Sequence, residues 1–171
     1  MGRPVIQGET LEARFFDACT VRMAVLKEVE LTLALAPEME VEACEKACAV
    51  AEFMSMSADR VDEVRMAMIE ACINAIEHSH ATDGQLHIHI AVLGDQQPET
   101  LQVTVRDSGI GFDPEKLVQP RIEEKINSDS KRGWGLRIIE GLMDSVRVET
   151  SAGGTAVIMS KALHDPAAAS A

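Results

Sequence analysis

The chain has 171 residues with 16 Lys+Arg against 28 Asp+Glu, a formal net charge of −12; 46% of the residues are apolar and 26% charged. That length suits one domain burying roughly two-thirds of its unfolded surface, which excludes disorder throughout. With no Tyr, one Trp and four Phe beside the acidic balance, there is neither a basic footprint for phosphate backbones nor a row of aromatics for stacking bases, so no nucleic-acid partner is expected.

No apolar run approaches the roughly 18 residues of a membrane span, and the opening stretch lacks an apolar signal core, so a cytoplasmic protein with no membrane contact is expected. Cys19, Cys44, Cys48 and Cys72 form no CxxC pair. In a reducing compartment they read as small buried apolar groups.

Within residues 1–26, Leu11, Phe15, Phe16, Val21, Val25 and Leu26 recur at roughly helical intervals, which predicts an N-terminal helical extension. From Glu28 the period changes: Val29, Leu31, Leu33 and Leu35 alternate with Glu30, Thr32 and Ala34 in a strand closed by Pro37. Pro37 suits a first helical turn and Glu38 and Glu40 complement its positive end, predicting a helix over 37–54. Ser57 is a candidate N-cap for a second helix reaching His78, with Val61, Val64, Met68, Ile69, Cys72, Ile73 and Ile76 as its core stripe.

After the Asp83-Gly84 turn signal, Leu86, Ile88 and Ile90 form one alternating strand and Leu101, Val103 and Val105 the next. Residues 112–132 are too irregular for an element, and loops of that length are usually functional. Leu136 to Met143 reads as a helix, Val146 to Glu149 and Thr155 to Met159 as strands around a Gly153-Gly154 turn, and the tail from Asp165 as frayed.

Seven of the eleven glycines fall between Gly109 and Gly154. Asp107-Ser-Gly109-Ile-Gly111 follows a strand and Gly133-Trp-Gly135-Leu136 opens a helix, places where bare backbone can approach a ligand. A helix starting at Gly135 would aim unpaired N–H groups and its positive end outward, a setting for phosphate reinforced by Lys131 and Arg132. Neither GxxxxGK[ST] nor a full dinucleotide fingerprint is present. On the preceding helix Glu70 and Asn74 stand four residues apart, so both project from one face and can act on one ligand; taken alone, the pair reads equally well as a solvated polar face. His87 and His89 share a strand face and, with His78 and His80, sketch a metal site, but no Cys pair or HExxH helix accompanies them.

In order, Glu70-Ala-Cys-Ile-Asn74-Ala-Ile-Glu-His78, Asp107-Ser-Gly109-Ile-Gly111-Phe, Gly133-Trp-Gly135-Leu136 and Gly153-Gly154-Thr155 resemble the N, G1, G2 and terminal motifs of the GHKL ATP-binding superfamily. The likeness is greatest to its single-domain anti-sigma-factor serine kinases. It implies an α+β two-layer sandwich, the Bergerat ATP-binding fold, with a mixed, mostly antiparallel sheet and helices on one face. The kinase domain would span residues 27–164, after the extension 1–26 and before the tail 165–171.

The same resemblance implies ATP and Mg²⁺ as cofactors. Asn74 would be the Mg²⁺ ligand, Asp107 the acceptor for the adenine amino group, and Glu70 the general base that takes the nucleophile's proton. Gly109, Gly111 and Thr155 would line the adenine end, Gly133, Gly135, Leu136, Lys131 and Arg132 the phosphate end, and His78 the nucleotide side of the helix, with 112–132 as lid. The implied partners are a STAS-domain anti-sigma-factor antagonist, phosphorylated on a serine, and a sigma factor, with the chain a homodimer. Two readings compete: an ATP-binding module that sequesters a partner without phosphoryl transfer, and a partner-switch kinase with a target outside transcription. The larger gyrase-like, chaperone and mismatch-repair relatives need further domains, for which 171 residues are expected to leave no room, and histidine kinases usually lack a glutamate at the Glu70 position and need a dimerising helix pair, for which residues 1–26 are too short.

Overall fold

The computed structural model describes residues 23–78, 83–109, 134–151 and 153–165. Among them the order is β1 (Ala24–Ala34), α1 (Met39–Phe53), α2 (Ala58–His78), β2 (Gln85–Gly94), β3 (Thr100–Asp107), α3 (Gly135–Leu142), β4 (Ser145–Ser151) and β5 (Gly154–Ala162). The strands form one sheet in the order β1-β2-β3-β5-β4.

The expected mixed sheet is antiparallel in every described pairing. Between β1 and β2 the cause is the connection: α1 and α2 run up and back, returning the chain to the end it left, whereas a single crossover helix would deliver a parallel strand. The Leu35 amide accordingly donates to the Gly84 carbonyl at 2.8 Å, closing β1 onto the start of β2.

Strand alternation supplies the core. Leu86, Ile88, Ile90 and Val92 of β2 and Leu101, Val103 and Val105 of β3 are buried against Met68, Val64 and Cys72 of α2 in one apolar cluster that also takes in α1 and Ile139 of α3. The opposite sheet face is polar. There the His87 ring lies 3.2 Å from the Thr32 hydroxyl and the His89 ring 3.1 Å from Glu28, on side-by-side strands.

Several sequence expectations are corrected. Strand β1 begins at Ala24, so Ala24 to Leu26 are not part of an N-terminal helix: Ala24 pairs with Gly94 and Val25 with Leu93, and Leu26 falls at the irregularity between Val25 and Lys27. A ladder partner outweighs a helical period read from six apolar positions. Helix α1 starts at Met39 rather than Pro37, because Glu38 adopts a left-handed conformation (φ 72°) that cannot continue a helix.

On α2, Ser57 does sit before the first turn, its hydroxyl 3.4 Å from the Arg60 amide. The buried stripe, however, is Val61, Val64, Met68 and Cys72 with Ala67, Ala71 and Ala75, while Ile69 and Ile73 are half-buried and Ile76 is exposed. Alanines let α1, α3 and the sheet approach α2 closely, and the bulkier isoleucines are left at the rim. The remaining expectations for residues 1–22, the 112–132 loop and residues 166–171 lie outside the described residues.

Candidate functional site

Period-two alternation carries two charged residues onto the inward face of the sheet. On β3 the buried row Leu101, Val103, Val105 ends in Asp107, which is 8% exposed. A buried carboxylate must be hydrogen-bonded to be tolerable. Its Oδ1 accepts from the Gly109 amide at 2.8 Å and from the Thr155 amide at 3.4 Å, so the loop after β3 and the start of β5 close around it.

Gly154 makes that closure possible. Its φ of +121° is open only to glycine, and a Cβ there would collide with the Asp107 carbonyl and crowd Ser108 Cα at 3.1 Å. The two strand ends are thus pressed together by backbone, with the Asp107 carboxylate on the inward side. Asp83, two residues before β2, is tied to the same loop: the Gln85 amide and then the Ser108 hydroxyl hold its carboxyl below the ordinary range.

On the helix side, Asn74 and Glu70 sit about 6 Å apart along α2 and are each half-buried. Asn74 abuts the first residue of α3. A Cβ on Gly135 would lie 2.5 Å from Asn74 Oδ1, 2.6 Å from Nδ2 and 2.9 Å from Cγ, so only glycine lets the helix start meet the amide. Asn74 Nδ2 is buried with no hydrogen-bond partner. An orphaned buried amide costs about 1–3 kcal/mol unless something answers it, and beside it are the N-terminal N–H groups of α3, a helix end that favours anions. An oxygen-bearing amide next to an anion-binding helix start is a donor set suited to a Mg²⁺ ion carried by phosphates.

The structure therefore brings Glu70 and Asn74 together on α2, joins Gly135 to Asn74, and gathers Asp107, Gly109 and Thr155 at the β3/β5 end. Leu136 is half-buried and packs on the apolar core. His78 ends α2; its side chain, with Gly111, Lys131, Arg132 and Gly133, lies outside the described residues. No group of three or more metal-binding side chains occurs among the described residues, and His87 and His89 of the metal alternative are taken up by Thr32 and Glu28. Asp83 was missed as a site residue: its Asp-Gly pair reads as a turn, and only β2–β3 pairing puts it beside Ser108.

A buried carboxylate and, at the same end of the sheet, a glycine-started helix against an amide are the parts of a nucleotide-binding ATPase domain. The family model described as a histidine kinase-like ATPase domain matches residues 20–161, and the chain belongs to that family. It is similar to the serine-protein kinase RsbW of Bacillus licheniformis, 34% identical over 121 residues covering 67% of this chain and 72% of the relative, and equally to that of Bacillus subtilis. It is also similar to an anti-sigma F factor of Clostridium acetobutylicum, 34% identical over 105 residues covering 60% of this chain and 71% of that one. Among solved structures, that of the RsbU and RsbW domains of Rv1364c from Mycobacterium tuberculosis has the same fold, with a TM-score of 0.58 at 20% identity, covering 79% of this chain and 32% of that one.

Proposed function

We propose that the site carries out phosphoryl transfer from Mg-ATP to a serine of a STAS-domain antagonist, with a sigma factor as the alternate partner. The chain is an ATP-binding serine/threonine protein kinase of the anti-sigma type, in keeping with the serine-protein kinases and anti-sigma F factors it is similar to. The observation that carries the site assignment is the orphaned Asn74 amide pressed against Gly135, with Glu70 one turn earlier on the same helix.

Asp107 reads the base. Oδ1 is occupied by two backbone amides, so Oδ2 accepts the adenine amino group, and an acceptor-only carboxylate disfavours guanine, which presents a carbonyl there. Asn74 and the first amides of α3 hold the phosphates, with the Asn74 oxygen as a Mg²⁺ ligand; bound there, Mg²⁺ neutralises phosphate charge. Gly109, Gly111 and Thr155 flank the nucleotide at the adenine end, and Gly133, Gly135, Leu136, Lys131, Arg132 and His78 at the phosphate side. Glu70 accepts the proton of the partner's serine as its oxygen bonds to the γ-phosphorus; the bond between that phosphorus and the β–γ bridging oxygen breaks, and ADP leaves.

The catalytic domain begins with β1 at Ala24 and works as a homodimer in the cytoplasm; no helix among the described residues is long and apolar enough to cross a membrane. The test is incubation with labelled Mg-ATP and a candidate STAS-domain protein, comparing wild type with Glu70→Ala and Asn74→Ala. Label on a partner serine with wild type only supports the reading. Nucleotide binding without transfer to any STAS partner would point to a sequestering module, and capture of a STAS protein but no sigma factor to a target outside transcription.

A further inference from the structure

The inward row of β5 runs Val157, Met159, Lys161, and its last member is a cation only 5% exposed where an apolar residue belongs. In the sheet register Lys161 lies opposite Leu101, at the far end of the inward face from Asp107. Burying an ammonium costs several kcal/mol unless it is fully answered, and here it is. Lys161 Nζ donates to the Leu142 carbonyl at 2.6 Å and to Asp144 Oδ1 at 3.3 Å, and lies 2.7 Å from Glu63 Oε2. Asp144 is held in turn by the Ala162 amide at 2.7 Å and by Arg60 of α2 at 3.6 Å.

These partners belong to three elements: Leu142 is the last residue of α3, Glu63 and Arg60 lie in the first turns of α2, and Lys161 is on β5. Helices α2 and α3 run antiparallel, so α3 is fastened to α2 at both ends, by Gly135 against Asn74 at the site and by Lys161 between Leu142 and Glu63 at the other. An eight-residue helix is about 12 Å long. With so short a lever, a shift at its C-terminal end is transmitted almost undiminished to Gly135.

We propose that Lys161 is a positioning residue for nucleotide binding: by tying the C-terminal carbonyl of α3 to Glu63 of α2 it sets where the N-terminus of α3 meets Asn74, and so the fit of the phosphate end. The inference rests on ATP being the ligand, as proposed above. The adenine end, built from Asp107, Gly109 and Thr155 on β3 and β5, does not depend on this tie.

The test uses the full chain with Lys161→Met, Lys161→Arg and Glu63→Gln. Mg-ATP binding is measured by calorimetry, adenosine binding by the amide shifts of Gly109 and Thr155, and folding by thermal melts, with all binding done well below the melting temperatures. K161M is expected to lose about tenfold in ATP affinity while adenosine affinity stays within about twofold, and K161R to recover most of the loss. A purely structural lysine would lower the melting temperature and leave ATP affinity of the folded protein unchanged, which would overturn the proposal. If K161M does not fold, E63Q decides: its carboxylate is at the solvent edge, 39% exposed, and unaltered ATP affinity there overturns the proposal equally. Failure of the wild type to bind ATP would instead refute the functional reading on which it rests.

Discussion

Replacing Gly135 by Ala perturbs the junction of α2 and α3 by a single methyl group. Three atoms of Asn74 would then lie 2.5, 2.6 and 2.9 Å from the new carbon, closer than side-chain carbons are found. The backbone at Gly135 is helical, so the cost is steric. Overpacking of this kind costs about 1–3 kcal/mol, and Ala in place of Gly in a helix returns up to about 1 kcal/mol. A net loss of about 0–3 kcal/mol is less than a typical stability of about 5–15 kcal/mol, so the variant folds.

The whole shift is borne by the Asn74 amide, displaced by something near 1 Å, and a misplacement of that size at a reacting centre costs on the order of a hundredfold in rate. Urea unfolding should therefore show a folded variant that has lost no more than about 3 kcal/mol, while phosphoryl transfer below the unfolding transition falls by about two orders of magnitude and ATP binding weakens. Gly141→Ala, in the same helix with nothing within 4 Å of the added carbon, is the control: it should gain up to about 1 kcal/mol and transfer normally. If G135A binds ATP and transfers phosphate as the wild type does, the start of α3 does not set the position of Asn74.

Gly154→Ala should be far more damaging to the fold than G135A, since the backbone of Asp107 cannot yield and the φ of +121° is strained for any side chain; strain of about 1–2 kcal/mol and overpacking of about 1–3 kcal/mol predict a loss of about 2–5 kcal/mol in urea unfolding. Met68→Ala, emptying a fully buried position between α2 and the sheet, should cost about 2–5 kcal/mol by the same measurement. Asp107→Asn places an N–H donor where the adenine amino group needs an acceptor, so ATP affinity measured by calorimetry should fall more than stability does. Burial pushes the Cys48 thiol from 9.0 up to about 11 and the Cys72 thiol up to about 12. Cys48 and Cys72 should therefore resist iodoacetamide at pH 8, read peptide by peptide in the mass spectrum of the native protein after labelling. Because the folded state holds these protons more tightly, the stability they contribute is complete below pH 9 and is lost as pH rises towards 11–12, which a melting curve taken at each pH will register.

Much of the site could be read from one dimension because its parts are short-range. The four-residue spacing of Glu70 and Asn74 fixes a shared helix face, and Asp107 ends an alternating row. Gly135 opens a helix whatever lies beside it. The distances that matter, however, are long-range: the Asn74 amide against Gly135, Thr155 on Asp107 and Asp83 beside Ser108 join segments tens of residues apart.

Elsewhere tertiary context reversed the local signal. Val25 and Leu26 fit a helical period yet belong to β1, Val25 opposite Leu93 and Leu26 at the irregularity, since β1 gains ladder partners by extending. The isoleucines of α2 outrank its alanines in hydrophobicity yet lie nearer solvent, because close helix packing selects for small residues. Lys161 is the sharpest case: alternation placed it on the core face, which by itself argues against a charged residue, and only the convergence of Leu142, Asp144 and Glu63 makes that burial tolerable. Periodicity determines which way a side chain points, because the backbone repeats every few residues. What it meets there is decided by chain segments that sequence distance does not relate, and those meetings exist only once the sheet and helices have packed.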